Sequence, residues 1–550
     1  MMNIFRIISA IFLFFIFTDA SGQKLKKADK EIIANLQKHI DFLSNDKLEG
    51  RRTGTAGEKL AAEYISQRFQ EIGLTPKGSN NFLQPFEVYD GKQIGANTSL
   101  EIEDVKLQPG KDFFPFPYSP NINLEALPAI AVRESDMPWF LNLKETLEGN
   151  SNNPHFNLEE FIIAQMNEMS SKGATALFIY NTSQIDDQLF FDPKDKSQTV
   201  KIPVVYISKP IAEKFFSDES ATIDLKLVTS ITEMKRTGNN VIGYIDNGAA
   251  NVVVLGAHYD HLGYGEDGNS MLRTGEKLIH NGADDNASGI GGLIELARML
   301  KTGKEKSSNY LFIAFSGEEL GLFGSKYFTE HPTVDLAAVN YMINMDMIGR
   351  LNDSTNTVTV GGYGTSPSWS FIGKEKKLPF SIKIDSSGSG PSDHTSFYRK
   401  SIPVLFFFTG LHSDYHRPTD DANKINTIGE YRIISYIEDV ISELNRQNQK
   451  LAFLKTRETQ MSGTAKFSVT LGIMPDYTFS GAGVRADGIS EGRPAQKAGL
   501  QAGDIILQLG DHPISSMEKY MEALGKFKKG DNTKLKYKRG EEILETVVQF

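Results

Sequence analysis

The chain contains no cysteine among its 550 residues. That excludes disulfide scaffolding, thiol catalysis and thiolate metal ligation, and it removes the acceptor that a lipoprotein anchor needs. A basic excess is missing too: 59 Lys and Arg stand against 69 Asp and Glu, a net charge of -10, with no Lys/Arg-rich tract. No nucleic-acid partner is expected, because nothing supplies a row of phosphate contacts.

Long hydrophobic runs are almost absent as well. The prominent one, Ile7 to Phe17, follows the charged start Met1 to Arg6 and precedes the small residues Ala20 and Gly22. It is shorter than the ~20 apolar residues that span a bilayer. A charged start, a greasy middle and small residues are the order of a secretory signal. Residues 1–22 are therefore expected to be a removed signal peptide, with the mature protein exported, periplasmic or extracellular, and no membrane span remaining.

What is present is length and a changing pattern. A chain of 550 residues is too long for one core, so two to four domains are expected. Residues 28–76 show helical spacing, with Leu60, Ala61, Tyr64, Ile65, Phe69 and Ile72 on one face and Gly73 as a stop; Phe82 to Leu107 reads as short strands. From about 120 to 235 the character shifts to Asn- and Pro-rich loops, a helix at Leu158 to Lys172, and strands at Ala174 to Tyr180 and Pro203 to Ile207. This stretch reads as an insert.

From Asn240 strands and helices alternate. Strands fall at Val241 to Ile245, Val252 to Leu255, Tyr310 to Phe315, Val339 to Asn344 and Ile402 to Phe408, with helices at Ser288 to Leu300 and Tyr431 to Leu444. Continuous apolar strands between helices predict an α/β fold, a mixed, mostly parallel sheet sandwiched by helices. The expected domains are 23–120 with 236–445, an α+β or β-rich insert at 121–235, a polar linker at 446–464 and a small β unit at 465–550.

Five acid- and histidine-rich clusters sit at strand ends or helix starts of the α/β part: Gly256-Ala-His-Tyr-Asp-His261, Asn281-Gly-Ala-Asp-Asp-Asn-Ala-Ser-Gly289, Ser316-Gly-Glu-Glu319, Asn344-Met-Asp346 and Ser413-Asp-Tyr-His416. Each alone is explicable by capping or a solvated loop. Together they gather at one sheet edge, where adjacent carboxylates such as Asp284-Asp285 and Glu318-Glu319 repel unless a cation neutralises them. A hydrolytic metal wants N/O ligands on rigid supports and an open position for water. Asp260 could fix the His258 tautomer and Asp420 could orient His416.

These motifs resemble the co-catalytic di-zinc aminopeptidases, related to glutamate carboxypeptidase and glutaminyl cyclase, through about 28–120 and 236–445. The resemblance implies that one zinc takes His258 and Asp346, the other takes Glu319 and His416, and Asp284 bridges both. It implies Glu318 as general base, taking the proton of a water that bridges two Zn2+ ions and so leaving the attacking hydroxide, with peptides as substrates and N-terminal residues removed. Tyr415 is a candidate oxyanion donor or a packing residue; Ser392-Asp393-His394 resembles a motif near the substrate pocket, or is a surface turn. A His/Asp/Glu set also accepts Co2+ or Mn2+. Glutaminyl cyclase or carboxypeptidase activity on the same scaffold, or an inert peptide-binding protein, remain open alternatives.

Two flanking resemblances complete the reading. The insert looks like a protease-associated domain through Lys172 to Asn181 and Ile202 to Val205, and Gly492 to Ile506 resembles a PDZ domain. The latter implies either capture of a peptide C-terminus as an added strand at Leu471, Gly472 and Ile473, or internal docking on the catalytic domain.

Overall fold

The computed structural model describes residues 25–550 apart from 152, 154–155, 157, 194, 196–198, 273, 375–377, 457–468, 476–482, 490–491 and 515–516. The expected signal segment lies outside the described residues. Among the described residues no helix is long and apolar enough to cross a membrane.

The principal sheet runs in the order Thr75–Pro76, Ile231–Ile245, Asn309–Phe315, Val252–His258, Val339–Met345, Val404–Phe408, Thr357–Gly361 and Ser381–Ile384. The four strands from Asn309–Phe315 to Val404–Phe408 are parallel, and both of their flanking neighbours are antiparallel. Every residue of Val252–His258, Asn309–Phe315 and Val339–Met345 is buried. One face places Val253, Leu255, Tyr310 and Phe312 in a core with residues of helices Lys27–Leu43, Ala56–Ile72, Gly289–Thr302 and Thr427–Gln447. The other packs Val254, Leu311 and Ile313 with Phe328 and Phe397 of helices Phe323–Glu330 and His394–Tyr398. Burial on both faces is why these strands read as unbroken apolar runs rather than as alternation.

The helical N-terminal stretch is two helices, not one. Between Lys27–Leu43 and Ala56–Ile72 the chain makes a short 3-10 segment, Asp46–Arg51, in which Glu49, Gly50 and Arg51 have φ of 46°, 69° and 49°. A Cβ on Gly50 would lie 2.6 Å from the His280 carbonyl oxygen, so glycine is required where this segment presses against the main chain of Gly263 and His280.

The second body begins earlier than the expected residue 121. Strands Ser99–Ile102 and Val105–Leu107 join Leu225–Thr229 and Ile122–Ala126 in one four-stranded sheet; Phe113–Pro115 joins Val204–Ile207, Ala176–Tyr180 and Pro138–Asn142 in another. Strands of three to five residues carry no mark of which partner they will find, so the sequence does not show where this body starts. The long pair Leu83–Ile94 and Ile231–Ile245, antiparallel from Ile231 to Val241, joins this body to the principal sheet.

The polar stretch after the helix Thr427–Gln447 is partly docked. Leu454 N–H donates to Thr365 O (2.7 Å), Thr456 N–H donates to Tyr398 Oη (3.0 Å), and Leu451 is buried. The C-terminal unit is a six-stranded sheet led by Ile473–Pro475, Val484–Ile489 and Ile505–Leu509, with helix Met517–Leu524 against it.

Candidate metal centre

The parallel strands deliver the clusters to one edge. His258 ends the central strand, Glu318 and Glu319 follow Asn309–Phe315, Asp346 follows Val339–Met345, and the loop with His416 follows Val404–Phe408. These are the carboxyl ends of neighbouring strands, where open α/β sheets place their sites. Asp285 comes from the turn Ala283–Ser288 that opens helix Gly289–Thr302.

Two histidines face the acids in the same way. His258 Nδ1 lies 3.1 Å from the Asp260 main-chain oxygen, and His416 Nδ1 lies 2.9 Å from the Asn269 main-chain oxygen. A carbonyl can only accept, so both Nδ1 atoms carry a proton, and in the neutral rings both Nε2 atoms present a lone pair. His258 Nε2 is 3.3 Å from Asp285 Oδ1 and 3.4 Å from Asp346 Oδ1. His416 Nε2 is 3.3 Å from Asp285 Oδ2 and 3.2 Å from Glu319 Oε2. Asp285 thus turns one oxygen toward each histidine.

The spacing tests whether a metal fits. Neutral rings set these lone pairs against carboxylate oxygens, which a cation between them relieves; without one, burial opposes charge but the neighbouring acids hold both rings in the charged form. Two ligands of a tetrahedral zinc, each bound at ~2.0–2.1 Å, stand about 3.3 Å apart, which is the separation found in all four pairs. By contrast His261 Nδ1 is 2.7 Å from Glu319 Oε1, an ordinary charge-assisted hydrogen bond, so we read His261 as a donor that orients Glu319. His261 Nε2 is buried without a partner. The donor set fits zinc.

Three sequence expectations change here. Asp284, expected to bridge, is fully buried outside this group: Oδ1 accepts from Gly349 N–H (2.7 Å) and Ser288 Oγ (3.0 Å), and Oδ2 lies 3.2 Å from His412 Nε2. Asp285, not Asp284, is the acid that lies between the two histidines. Adjacent residues at a helix start point in different directions, and the pair Asp284-Asp285 carries no sequence mark that says which turns inward.

Asp260 holds His258 through its main-chain oxygen, with its carboxylate at 3.8 Å from Nδ1. That carboxylate instead accepts from Thr53 Oγ1 (2.9 Å) and Glu318 N–H (3.2 Å). Asp420 does not orient His416, whose Nδ1 is taken by Asn269; its Oδ2 accepts from the main-chain N–H groups of Asp284 (2.9 Å) and Asp285 (3.1 Å).

Asn269 was missed from the sequence, since its loop carries no motif. Besides the carbonyl on His416, its side-chain amide donates to Glu319 O at 3.2 Å. Tyr415 stacks on His416, with ring centroids 3.9 Å apart. Asp393 and His394 are buried rather than in a surface turn; His394 stacks on Phe406 at 4.5 Å. Burial pushes Asp393 up to about 7 and His394 down to about 3.

With no cation present, burial pushes Glu318 well above the carboxylate range; His258 opposes this, while Glu319, Asp346 and Asp393 reinforce it. In the C-terminal unit, Leu471 is buried with its carbonyl accepting from Ala495 N–H (2.8 Å), and Gly472 has φ 74°. Ile473 opens the strand Ile473–Pro475 at the edge of its sheet.

Comparison with known proteins places these elements. Residues 240–440 match the family described as Peptidase family M28, and residues 467–549 match the PDZ domain. Aminopeptidase YwaD of Bacillus subtilis (strain 168) is 29% identical over 268 residues, 46% of this chain and 53% of the relative. Probable lipoprotein aminopeptidase LpqL of Mycobacterium tuberculosis (strain ATCC 25618 / H37Rv) is 28% identical over 257 residues, 44% of this chain and 47% of the relative. The chain spans about half the length of these curated relatives. Among solved structures, the aminopeptidase from Aneurinibacillus sp. strain AM-1 is similar at 21% identity and a TM-score of 0.40, covering 78% of this chain and 97% of that one.

Proposed function

We propose that the protein is a zinc aminopeptidase that removes N-terminal residues from peptides, a reading supported by the match of residues 240–440 to Peptidase family M28 and of residues 467–549 to the PDZ domain. The observation that carries this reading is Asp285, whose two carboxylate oxygens each lie 3.3 Å from the Nε2 of a different histidine. Two zinc ions suit that arrangement, one held by His258, Asp346 and Asp285, the other by His416, Glu319 and Asp285.

Bound zinc supplies Lewis acidity, which acidifies water and polarises a peptide carbonyl. The chain's own residues do the rest. Glu318, next to the ligand Glu319 and partly buried, takes a proton from the attacking water and returns it to the departing amine. Asp260 holds the Glu318 main chain through its N–H and the His258 ring through its carbonyl, so base and ligand share one support. Tyr415, stacked on His416, is the candidate donor to the developing oxyanion.

The remaining parts follow the same reading. Residues 1–22 direct export, the insert shapes access to the site in the manner of a protease-associated domain, and the PDZ edge strand at Leu471 to Ile473 receives a peptide C-terminus. The test is a peptide set with free, blocked and N-terminal Gln ends, assayed with zinc analysis on the same preparation. Release of the first residue from free ends, with about two zinc ions per chain, is expected. Cleavage of blocked peptides, or cyclised product from the Gln peptide, overturns it.

A further inference from the structure

The N-terminal segment contains a fully buried cation outside the matched peptidase region. Arg51 is 1% exposed, and its hydrogen bonds all end on main-chain carbonyls. Nε–H donates to Tyr259 O (2.8 Å); Nη1 donates to Leu43 O (2.5 Å) and Asn281 O (2.6 Å); Nη2 donates to Gly282 O (3.0 Å). Its own carbonyl accepts from His261 N–H (3.3 Å), and the Gly50 carbonyl accepts from Gly263 N–H (3.1 Å). One guanidinium therefore grips the loop just after His258 and the loop just before Asp285.

The segment makes two further contacts of the same kind. Thr53 Oγ1 donates to Asp260 Oδ2 (2.9 Å), and Glu58 meets the Tyr259 hydroxyl (2.8 Å). Three side chains from residues 51–58 thus fasten the loop Tyr259 to His261, and only Arg51 also reaches the Asp285 loop. Arg51 stays charged at neutral pH: burial draws it down to about 10, opposed by the field of Asp285, Asp260, Asp420 and Glu319. A lysine cannot copy this arrangement, because a point ammonium lacks the planar fork that reaches carbonyls on several sides.

We propose that Arg51 is a positioning residue of the zinc centre, fixing the separation of the His258 and Asp285 loops through its guanidinium fork. This rests on the zinc reading above. The geometry requires both loops to be held so that His258 Nε2 and Asp285 Oδ1 stay 3.3 Å apart, and supports of this kind are worth roughly 10–100-fold in metal affinity.

The experiment compares the wild-type full chain with R51K and R51M. Zinc affinity is measured by chelator competition, zinc content by mass spectrometry, and the metal-free protein by thermal melting. The expected result is zinc binding weakened about 10–100-fold in R51K, in a metal-free protein that still melts cooperatively. R51M, with neither fork nor charge, is expected to lose at least as much. Wild-type zinc affinity in R51K overturns the proposal. So does loss of cooperative melting in both variants, which assigns Arg51 to the fold as a whole. Failure of wild type itself to bind zinc overturns the metallopeptidase reading, and is thereby distinguished from failure of this inference.

Discussion

Asp420 accepts the main-chain N–H of Asp285 at 3.1 Å, and the same oxygen accepts that of Asp284 at 2.9 Å. A fully buried carboxylate thus caps the turn that aims Asp285 at both histidines. In D420A two buried N–H groups lose their acceptor, each costing about 1–3 kcal/mol, and zinc binding weakens roughly 10–100-fold. D420N keeps an oxygen in place and should fall between D420A and wild type. Denaturant melts of the metal-free proteins, together with chelator competition, check both effects; D420A with unchanged zinc affinity would show that the cap is not needed.

Asp284 and Asp285 are neighbours with opposite assignments. D285N should lose zinc and reduce peptide turnover roughly 100-fold or more, the scale of several kcal/mol of transition-state stabilisation. D284N should keep its zinc. Its buried partners are Gly349 N–H, Ser288 Oγ and His412, so the change should appear as about 1–3 kcal/mol of lost stability. Zinc content per chain after gel filtration separates the two variants, and the reverse pattern would restore the bridging role that the sequence suggested for Asp284.

That pair marks how far the sequence could be read. The edge of the sheet was legible, because unbroken apolar strands ending in His258, Glu318-Glu319 and Asp346 need burial on both faces and leave their termini at one place. The second body was legible as a change of composition, but not its start at Ser99, since such short strands do not announce their partners. The supports were not legible at all. His258 and His416 are oriented by main-chain carbonyls of Asp260 and Asn269, and main-chain groups are the same for every residue type. Arg51 is hidden for the same reason, since all its acceptors are carbonyls.

Glu318 is assigned as the base because its neighbour Glu319 is within reach of His416 while no ring nitrogen lies within ion-pair distance of Glu318 among the described residues. E318Q removes the proton acceptor without removing a ligand. It should lower kcat by about 10²–10⁴-fold, the usual worth of a positioned acid-base group, with zinc content unchanged and KM little altered. Steady-state kinetics and metal analysis on one preparation check this; a variant turning over at the wild-type rate would end the assignment.

Glu58 offers a pH test away from the ligands. Tyr259 Oη lies 2.6 Å from Asn239 O and 2.8 Å from Glu58 Oε1, while Glu58 Oε1 also accepts from Asn239 N–H at 2.9 Å. Tyrosine has one proton, and the Asn239 carbonyl can only accept it, so a neutral Glu58 donating to the tyrosine oxygen completes the set. Burial pushes Glu58 up to about 7 from an ordinary 4.5, opposed by the hydrogen bond from Asn239. Between those values the native state holds a proton that the unfolded chain releases, so stability falls as pH rises through that window and levels off above it. The loss is at most about 3 kcal/mol at one proton. E58Q stays neutral at every pH. Urea unfolding of metal-free wild type and E58Q from pH 5 to 8 should therefore show the variant gaining on wild type as pH rises, with the difference flattening above about 7. A difference that stays constant over this range would mean that Glu58 is ionised throughout and that Tyr259 donates to it instead.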